Sequence, residues 1–399
     1  MGIKHLHRLL EKYAPGCYRH THLSHYAYKK VAIDISLYLY KYKAIHGDRW
    51  LECFLSLITC LRKWDVHCIF IYDGKAPDEK IEEQQRRRES RAKLNTKLQE
   101  IEQEILKFEE TGEIGPLIEE IHKKEGGIVS LFRKNVPKIN IQLIKSKFEA
   151  MKNMMIHITP GDITLSKKLF DMLHIPYVEA PDEAERYAAQ LCVDGKIDCV
   201  LSEDTDVLAY GTPKFLTKID TTKDTVVEIT HSVIVEEMGI SKETFRDLCI
   251  MCSCDYNTNI PLIGPEKSYQ LLASHHTIEG VIDELKKTPK YTDEICSVLK
   301  YEVCRDLFAT YPIDYYIPYC GMPDFGALQE FLRTNSIRHD MSLLKKHLSP
   351  RDPVFEVEEF EDEKVEDPCE VEDEDEVEDE VDVEVEDEVE VKNESIEPM

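Results

Sequence analysis

Two short apolar runs near the start of the chain each end in an aspartate. Lys30-Val31-Ala32-Ile33-Asp34 is one, and Val66-His67-Cys68-Ile69-Phe70-Ile71-Tyr72-Asp73 is the other. Runs that are apolar on both faces predict buried strands of a parallel sheet. Helix-like stretches alternate with them over the first 75 residues. The same alternation returns later: residues 163–173 predict a helix, 175–180 a strand leading to Pro181, and 199–202 a strand followed at once by Asp204 and Asp206. Residues 78–125 between them are rich in Glu, Lys and Arg and poor in β-branched side chains, as a solvated helical segment is. Gly112, Gly115-Pro116 and Gly126-Gly127 break that segment into pieces. Residues 240–310 read as all-helical. The pattern predicts a βα core interrupted by a mostly helical insertion.

In open α/β sheets, ligand sites lie beyond the carboxyl ends of the strands. Two strands ending in Asp34 and Asp73 therefore put two carboxylates on one rim. Glu183 and Glu185 are two residues apart, as are Asp204 and Asp206. In extended chain that spacing puts both side chains on one face. At a helix start it holds them near backbone N–H groups, and Pro181 before Asp182-Glu183-Ala184-Glu185 favours this second geometry for the glutamates. Any one of these acids reads equally well as a cap or a solvated surface group. As a set on one rim they repel one another, and divalent cations are the natural remedy. Mg²⁺ takes a few carboxylates and keeps several waters.

Charge and cysteine content refine this picture. The net charge of the 399-residue chain is −28. Residues 351–399 hold 26 acidic and 3 basic residues, whereas the first 350 hold 52 acidic and 47 basic. The body is almost balanced, so a nucleic-acid partner is compatible with it. The low-complexity Glu/Asp/Val tail from 351 is expected to be disordered, because like charges repel and apolar residues are few. The 13 cysteines are scattered and odd in number, which fits reduced core thiols. Cys249, Cys252 and Cys254 lack an evident fourth zinc ligand. His5, His7, His20, His22 and His25 read as surface or packing groups. The chain shows neither an apolar run long enough for a membrane span nor a signal-peptide pattern, and a soluble intracellular protein is expected.

Five motifs in order resemble the flap endonuclease/XPG family of structure-specific nucleases, over residues 1–345. Met1-Gly2-Ile3 with Leu9 resembles the family's N-terminal signature. Val31-Ala32-Ile33-Asp34-Ile35-Ser36, Tyr72-Asp73-Gly74-Lys75-Ala76-Pro77, Glu179-Ala180-Pro181-Asp182-Glu183-Ala184-Glu185 and Ser202-Glu203-Asp204-Thr205-Asp206-Val207-Leu208 with Gly211 resemble its first four acidic motifs. Cys254-Asp255-Tyr256-Asn257, followed by Ile263-Gly264-Pro265, resembles the fifth. The resemblance implies a PIN-like α/β fold: a central, mostly parallel sheet flanked by helices, with a helical arch insertion, a helix-turn-helix DNA-binding region and the acidic tail. The expected parts are an N-terminal nuclease region at 1–98, the arch at 99–155, an internal nuclease region at 156–256, the helix-turn-helix and C-terminal helices at 257–350, and the tail at 351–399. It implies that Asp34, Asp73, Glu183, Glu185, Asp204, Asp206 and Asp255 bind two Mg²⁺ ions, with Mn²⁺ able to substitute. Asp255 rests on the resemblance alone; by itself it reads as a helix-end acid.

Lys80, Arg87 and Arg91 are spaced seven and four apart, one stripe of a helix, which Arg86 and Arg88 broaden. A solvated face interleaved with Glu82, Glu83 and Glu89 is the plain alternative. By resemblance, Lys80 and Arg87 contact the scissile phosphate and assist catalysis, and Tyr40 stacks on a base beside the cut. Ser90 stands where the family often carries a further Arg. Asn259 to Lys267 resembles the turn that holds duplex phosphates and a K⁺ ion, with Gly264 and Lys267 as contacts. There Pro261-Leu262 replaces the usual basic-then-glycine pair, and Leu262 lacks glycine's freedom to approach a backbone. Asp73 and Glu183 lie 110 residues apart, several dozen more than the family's usual spacing, so a larger arch is expected. A clear sliding-clamp motif is missing, and the acidic tail reads as a solubility element, as bait for a basic protein partner, or as a competitor for the DNA site. These departures suit a viral member of the family as well as a divergent eukaryotic one.

The expected activity is Mg²⁺-dependent hydrolysis of DNA at a 5′ flap, nick, gap or junction, by a monomer located in the nucleus or at a viral replication site. The products would carry a 5′-phosphate. A non-catalytic junction-binding scaffold and an RNA-directed nuclease on the same fold remain open at this point.

Overall fold

In the computed structural model, which describes residues 2–125, 140–153 and 155–349, seven strands form one sheet. They are β1 (Tyr18–His22), β2 (Lys30–Asp34), β3 (His67–Tyr72), β4 (Tyr177–Glu179), β5 (Cys199–Leu201), β6 (Lys214–Asp220) and β7 (Thr225–Thr230). Their order across the sheet is β1-β7-β6-β5-β2-β3-β4. The five strands from β6 to β4 run parallel, and β7 pairs antiparallel with β6 and with β1. The PIN-like, mostly parallel sheet expected from the sequence is therefore present.

The four expected β runs are β2, β3, β4 and β5. The polar strand β1 and the β6–β7 hairpin carry no apolar run and were not expected. β1 reads Tyr-Arg-His-Thr-His and is held as an edge by its register with β7. The hairpin turns where Asp220 Oδ1 accepts bonds from the Thr222 and Lys223 amides, a local side-chain device that periodicity does not report.

Side chains alternate across the parallel strands. Ala32, Ile69, Ile71 and Val200 join a core on one face, which includes the helices Ala184–Val193 and Lys242–Met251. Val31, Ile33, Phe70, Tyr72 and Leu201 join a second core on the other face, with the helices Ile35–His46, Trp50–Lys63 and Pro160–Leu173. The helix predicted at 163–173 starts earlier, at Pro160. Thr159 caps it reciprocally with Asp162, and Pro160 fits the first helical position, where no amide bond is lost. The region 240–310 is helical as expected, from Lys242–Met251 through Tyr301–Leu307.

The insertion consists of the helices Ile81–Thr111, Pro116–Glu125 and Ile141–Asn153. The first ends where Gly112 adopts a left-handed φ of 71°, at one of the predicted breaks. The Gly126-Gly127 break lies outside the described residues. These helices share a small core of their own, formed by Leu98, Ile101, Ile105, Ile118, Ile144 and Phe148. The boundary expected at 98/99 falls inside the first helix, which runs unbroken through it. What changes there is burial: residues 81–93 are almost all exposed, and Leu98 opens the buried stripe. The described residues belong to one compact unit, and the tail expected to be disordered lies outside them.

The twelve described cysteines are free thiols, most of them buried. Cys249, Cys252 and Cys254 lie in the apolar core. No described helix is long and apolar enough to cross a membrane. At the centre of the second core, Phe170 stacks on Phe70 with ring centroids 4.2 Å apart and 8° between planes. Phe170→Ala is expected to lower stability by about 3–5 kcal/mol, the usual cost of emptying a buried aromatic site. Urea unfolding measures this, and a loss below about 1 kcal/mol would show that the ring is not part of the supporting core.

Candidate active site

The carboxyl ends of the parallel strands carry the acids. Asp34 is the last residue of β2 and caps the following helix, accepting a bond from the Ser36 amide at 2.9 Å. Asp73 follows β3 directly; one of its oxygens accepts from Ser36 Oγ at 2.6 Å and the other from the Ala184 amide at 2.9 Å. Glu183 is the N-cap residue of the helix Ala184–Val193 and Glu185 lies in its first turn, the helix-start geometry that Pro181 suggested. Asp204 and Asp206 meet through a turn, Asp204 Oδ1 accepting from the Asp206 amide at 3.0 Å, rather than through strand alternation. Ligand oxygens of Glu185, Asp204 and Asp206 lie within 4.8 Å of one another. Asp255, on the loop after the helix Lys242–Met251, reaches the same place through Lys80 and Arg87.

Burial and like charge act together on this group. Asp34, 5% exposed, has its pKa pushed well up by burial and then by Asp73 and Asp204. Glu185 is pushed well up by burial, Asp204, Asp34 and Asp206. Asp206 is 3% exposed and is pushed well up by burial, Asp204 and Asp255. Its Oδ1 is buried with no hydrogen-bond partner. Asp255 behaves differently. Burial raises its pKa, but the Lys80 ammonium and the Arg87 guanidinium outweigh that and hold it below the usual carboxylate range. Such a set calls for more positive charge than its side chains provide.

Lys80 bonds to Glu183 and lies 2.9 Å from Asp255. Burial works against its ammonium, yet the two carboxylates push its pKa up. Arg87 Nη2 donates to Asp255 at 2.8 Å, and its Nε donates to Glu83 at 2.8 Å. Glu83 also takes Arg86, so the basic stripe is partly matched by acids of its own helix. Arg88 and Arg91 are exposed. The Arg91 guanidinium lies 5.8 Å from the centre of the Tyr40 ring, and Tyr40 is 38% exposed. Lys300 closes the arch base with a 2.8 Å ion pair to Glu82.

Two glycines make the convergence possible. A Cβ on Gly2, which has φ +88°, would overlap Asp204 Oδ1. A Cβ on Gly74 would overlap the Ala180 carbonyl, and the Gly74 amide donates to the Asp182 carbonyl at 2.6 Å. Sequence reasoning passed over Ser36, Tyr256 and Tyr210. Tyr256 donates to Glu183 Oε2, and Tyr210 OH lies 3.2 Å from Tyr256 OH. Adjacency to Asp255 was the available signal for Tyr256.

The helix-turn-helix residues lie apart from this cluster. Gly264 caps the helix Pro265–His275, with open space where a side chain would be, and Lys267 in its first turn is exposed. Leu262 takes the left-handed φ of 65° that glycine favours, and is 72% exposed. For a leucine that conformation carries a backbone cost of about 1–2 kcal/mol.

Comparison with known proteins agrees with this geometry. Residues 1–94 match the XPG N-terminal domain and residues 174–255 the XPG I-region. Those two stretches contain all seven acids, and the insertion fills most of the interval between them. The chain is 32% identical over 339 residues to a probable RAD2-like endonuclease of Invertebrate iridescent virus 3, across 74% of this chain and 88% of that protein. It is 27% identical over 325 residues to flap endonuclease 1 of Komagataella phaffii, across 77% of each. The solved catalytic core of Rad2 in complex with a DNA substrate shares the fold, with a TM-score of 0.58 at 17% identity over 87% of this chain and 98% of that one. The chain belongs to the XPG family of RAD2-like endonucleases.

Proposed function

We propose that this family nuclease is a Mg²⁺-dependent, structure-specific 5′ nuclease that hydrolyses DNA at 5′ flaps, nicks, gaps or junctions. The observation that carries the reading is the convergence of seven carboxylates from five chain segments, with Lys80 and Arg87 beside them. Asp34, Asp73, Glu183, Glu185, Asp204, Asp206 and Asp255 would hold two Mg²⁺ ions, and Mn²⁺ would substitute. The unpartnered buried oxygen of Asp206 and the raised pKa values of Asp34 and Glu185 support a cation site. When bound, such ions activate a water and stabilise the leaving oxygen of an in-line displacement.

The chain's own groups do the rest. Lys80 and Arg87, at the base of the arch, would turn from the acids to the scissile phosphate and offset its growing negative charge. Tyr40 offers a ring on which an unpaired base can stack, as aromatics do along single strands. Arg86, Arg88 and Arg91 would meet the backbone of the strand passing the arch, contacts that position without reading sequence. The open helix start at Gly264, with Lys267, suits a phosphate of the flanking duplex, and a K⁺ ion at that turn belongs to the same proposal.

Two measurements test this reading. The first concerns charge alone. Asp206 has a raised pKa, so its ionised form costs folded stability at neutral pH, and removing the charge stabilises. Asp206→Asn is expected to raise the thermal midpoint in chelator by about 1–2 °C, the equivalent of about 1 kcal/mol for a folded unit of this size at about 2.1 cal/mol/K per residue. Mg²⁺ should raise the wild-type midpoint and raise the variant's less. Equal metal responses would count against Asp206 as a ligand. The second is cleavage of a panel of 5′-labelled flap, gapped, nicked and four-way DNA, with a matched RNA flap and a flap blocked at its 5′ end. Mg²⁺ should give products with a 5′-phosphate. Asp204→Ala should lose more than the ~100-fold typical of a group that merely supports a ligand. Intact DNA throughout, or equal rates for the variant, would refute the proposal. Preferred cutting of RNA would redirect it.

A further inference from the structure

The tyrosines behind Glu183 form a chain of hydrogen bonds that touches three of the acid-bearing segments. Tyr256 follows Asp255 directly, and its hydroxyl donates to Glu183 Oε2. The Tyr210 hydroxyl lies 3.2 Å from that of Tyr256. A phenol has one proton to give. That of Tyr256 is committed to the carboxylate, so Tyr210 must be the donor to Tyr256. The order of donation is thereby fixed: Tyr210 to Tyr256 to Glu183. Tyr210 itself ends the short helix Asp206–Ala209, which begins with another of the acids.

The chain is held from behind. Phe308 packs edge-on against both rings, with centroids 5.1 Å from Tyr210 and 5.6 Å from Tyr256. Both tyrosines are 5% exposed. The loop bearing Asp255 and Tyr256 is pinned by Asn257, whose amide donates to the Ile250 and Leu299 carbonyls at 2.8 and 2.9 Å and whose Oδ1 accepts from the Cys254 amide at 2.9 Å. Both hydroxyls lie inside the fold, and no step of the proposed hydrolysis uses them. What they can do is set the rotamer of Glu183 and keep one of its oxygens accepting from behind, so that the other is left for the front, where Lys80 now bonds.

We propose that Tyr256, oriented by Tyr210, is a positioning residue that presents the Glu183 carboxylate to one of the two metal ions. The inference rests on the metal-dependent reading above and assigns it a supporting residue. Outer groups of this kind commonly change metal affinity by about 10–100-fold. Unlike a general packing role, this one acts on the ion that Glu183 holds and spares the other.

Mn²⁺ binding to the full chain, followed by the electron paramagnetic resonance of the free ion, reads this without any substrate. Wild type is expected to take up two ions. Tyr256→Phe should weaken one of them about 10-fold or more and leave the other unchanged, and Glu183→Gln should weaken the same one. Its Mg²⁺ requirement for cleavage should rise in parallel, with the rate recovered at saturating metal. Tyr210→Phe should give a smaller shift of the same site, and the double variant should be no worse than Tyr256→Phe alone. Wild-type uptake by Tyr256→Phe overturns the inference while leaving the metal reading intact. A wild-type protein that takes up no Mn²⁺ overturns both. Should Tyr256→Phe fold poorly, unchanged uptake by Tyr210→Phe still overturns it.

Discussion

Mutual repulsion among carboxylates crowded at one rim is the constraint on which the rest of this structure depends. Seven negative charges from five segments share a space in which burial and neighbours push Asp34, Glu185 and Asp206 toward their neutral forms. Folding brings them together because each is tied to an element that forms for other reasons. Asp34 ends a strand and caps a helix, Glu183 caps another, and Asp206 starts a third. The apolar cores on the two faces of the sheet therefore impose the crowding, and the site inherits it. Lys80 and Arg87 relieve the side nearest Asp255. The side nearest Asp206 keeps its excess charge, and there the chemistry of a divalent ion fits best.

Much of this was legible along the chain. The strands ending in Asp34 and Asp73 were readable because parallel strands are apolar on both faces and the site must lie beyond their carboxyl ends. Pro181 announced the helix start that positions Glu183 and Glu185. Other parts were not legible, for definite reasons. β1 owes its place to β7, about 200 residues away in sequence, and the β6–β7 hairpin to a turn held by the Asp220 side chain, so apolar patterning did not mark them. Asp255 sits on a loop between helices and joins the others only when the chain folds. Tyr210 and Tyr256 look like core aromatics because their rings are core; only the direction of their hydroxyls sets them apart. Residue 98, the expected boundary, falls within one continuous helix.

The two glycines show how narrow the tolerances are. Gly2 and Gly74 are needed for the volume they leave empty, against Asp204 and the Ala180 carbonyl. Leu262 shows the opposite case. It holds the left-handed conformation that glycine takes easily, so the turn before the helix Pro265–His275 is kept by its buried flanks, Ile260 and Ile263, rather than by backbone freedom.

The small core shared by the three insertion helices has a thermodynamic consequence. A helix as exposed as residues 81–93 is marginal when isolated, and ordering it on contact with a strand would draw on the binding energy. Here Leu98, Ile101 and Ile105 continue the same helix into a packed cluster with Ile118, Ile144 and Phe148, so its conformational entropy is lost during folding. Association with a nucleic acid then proceeds against a frame already formed. The calorimetric mark of that state is a small heat-capacity change on binding, with affinity governed by charge and its screening by salt more than by coupled folding.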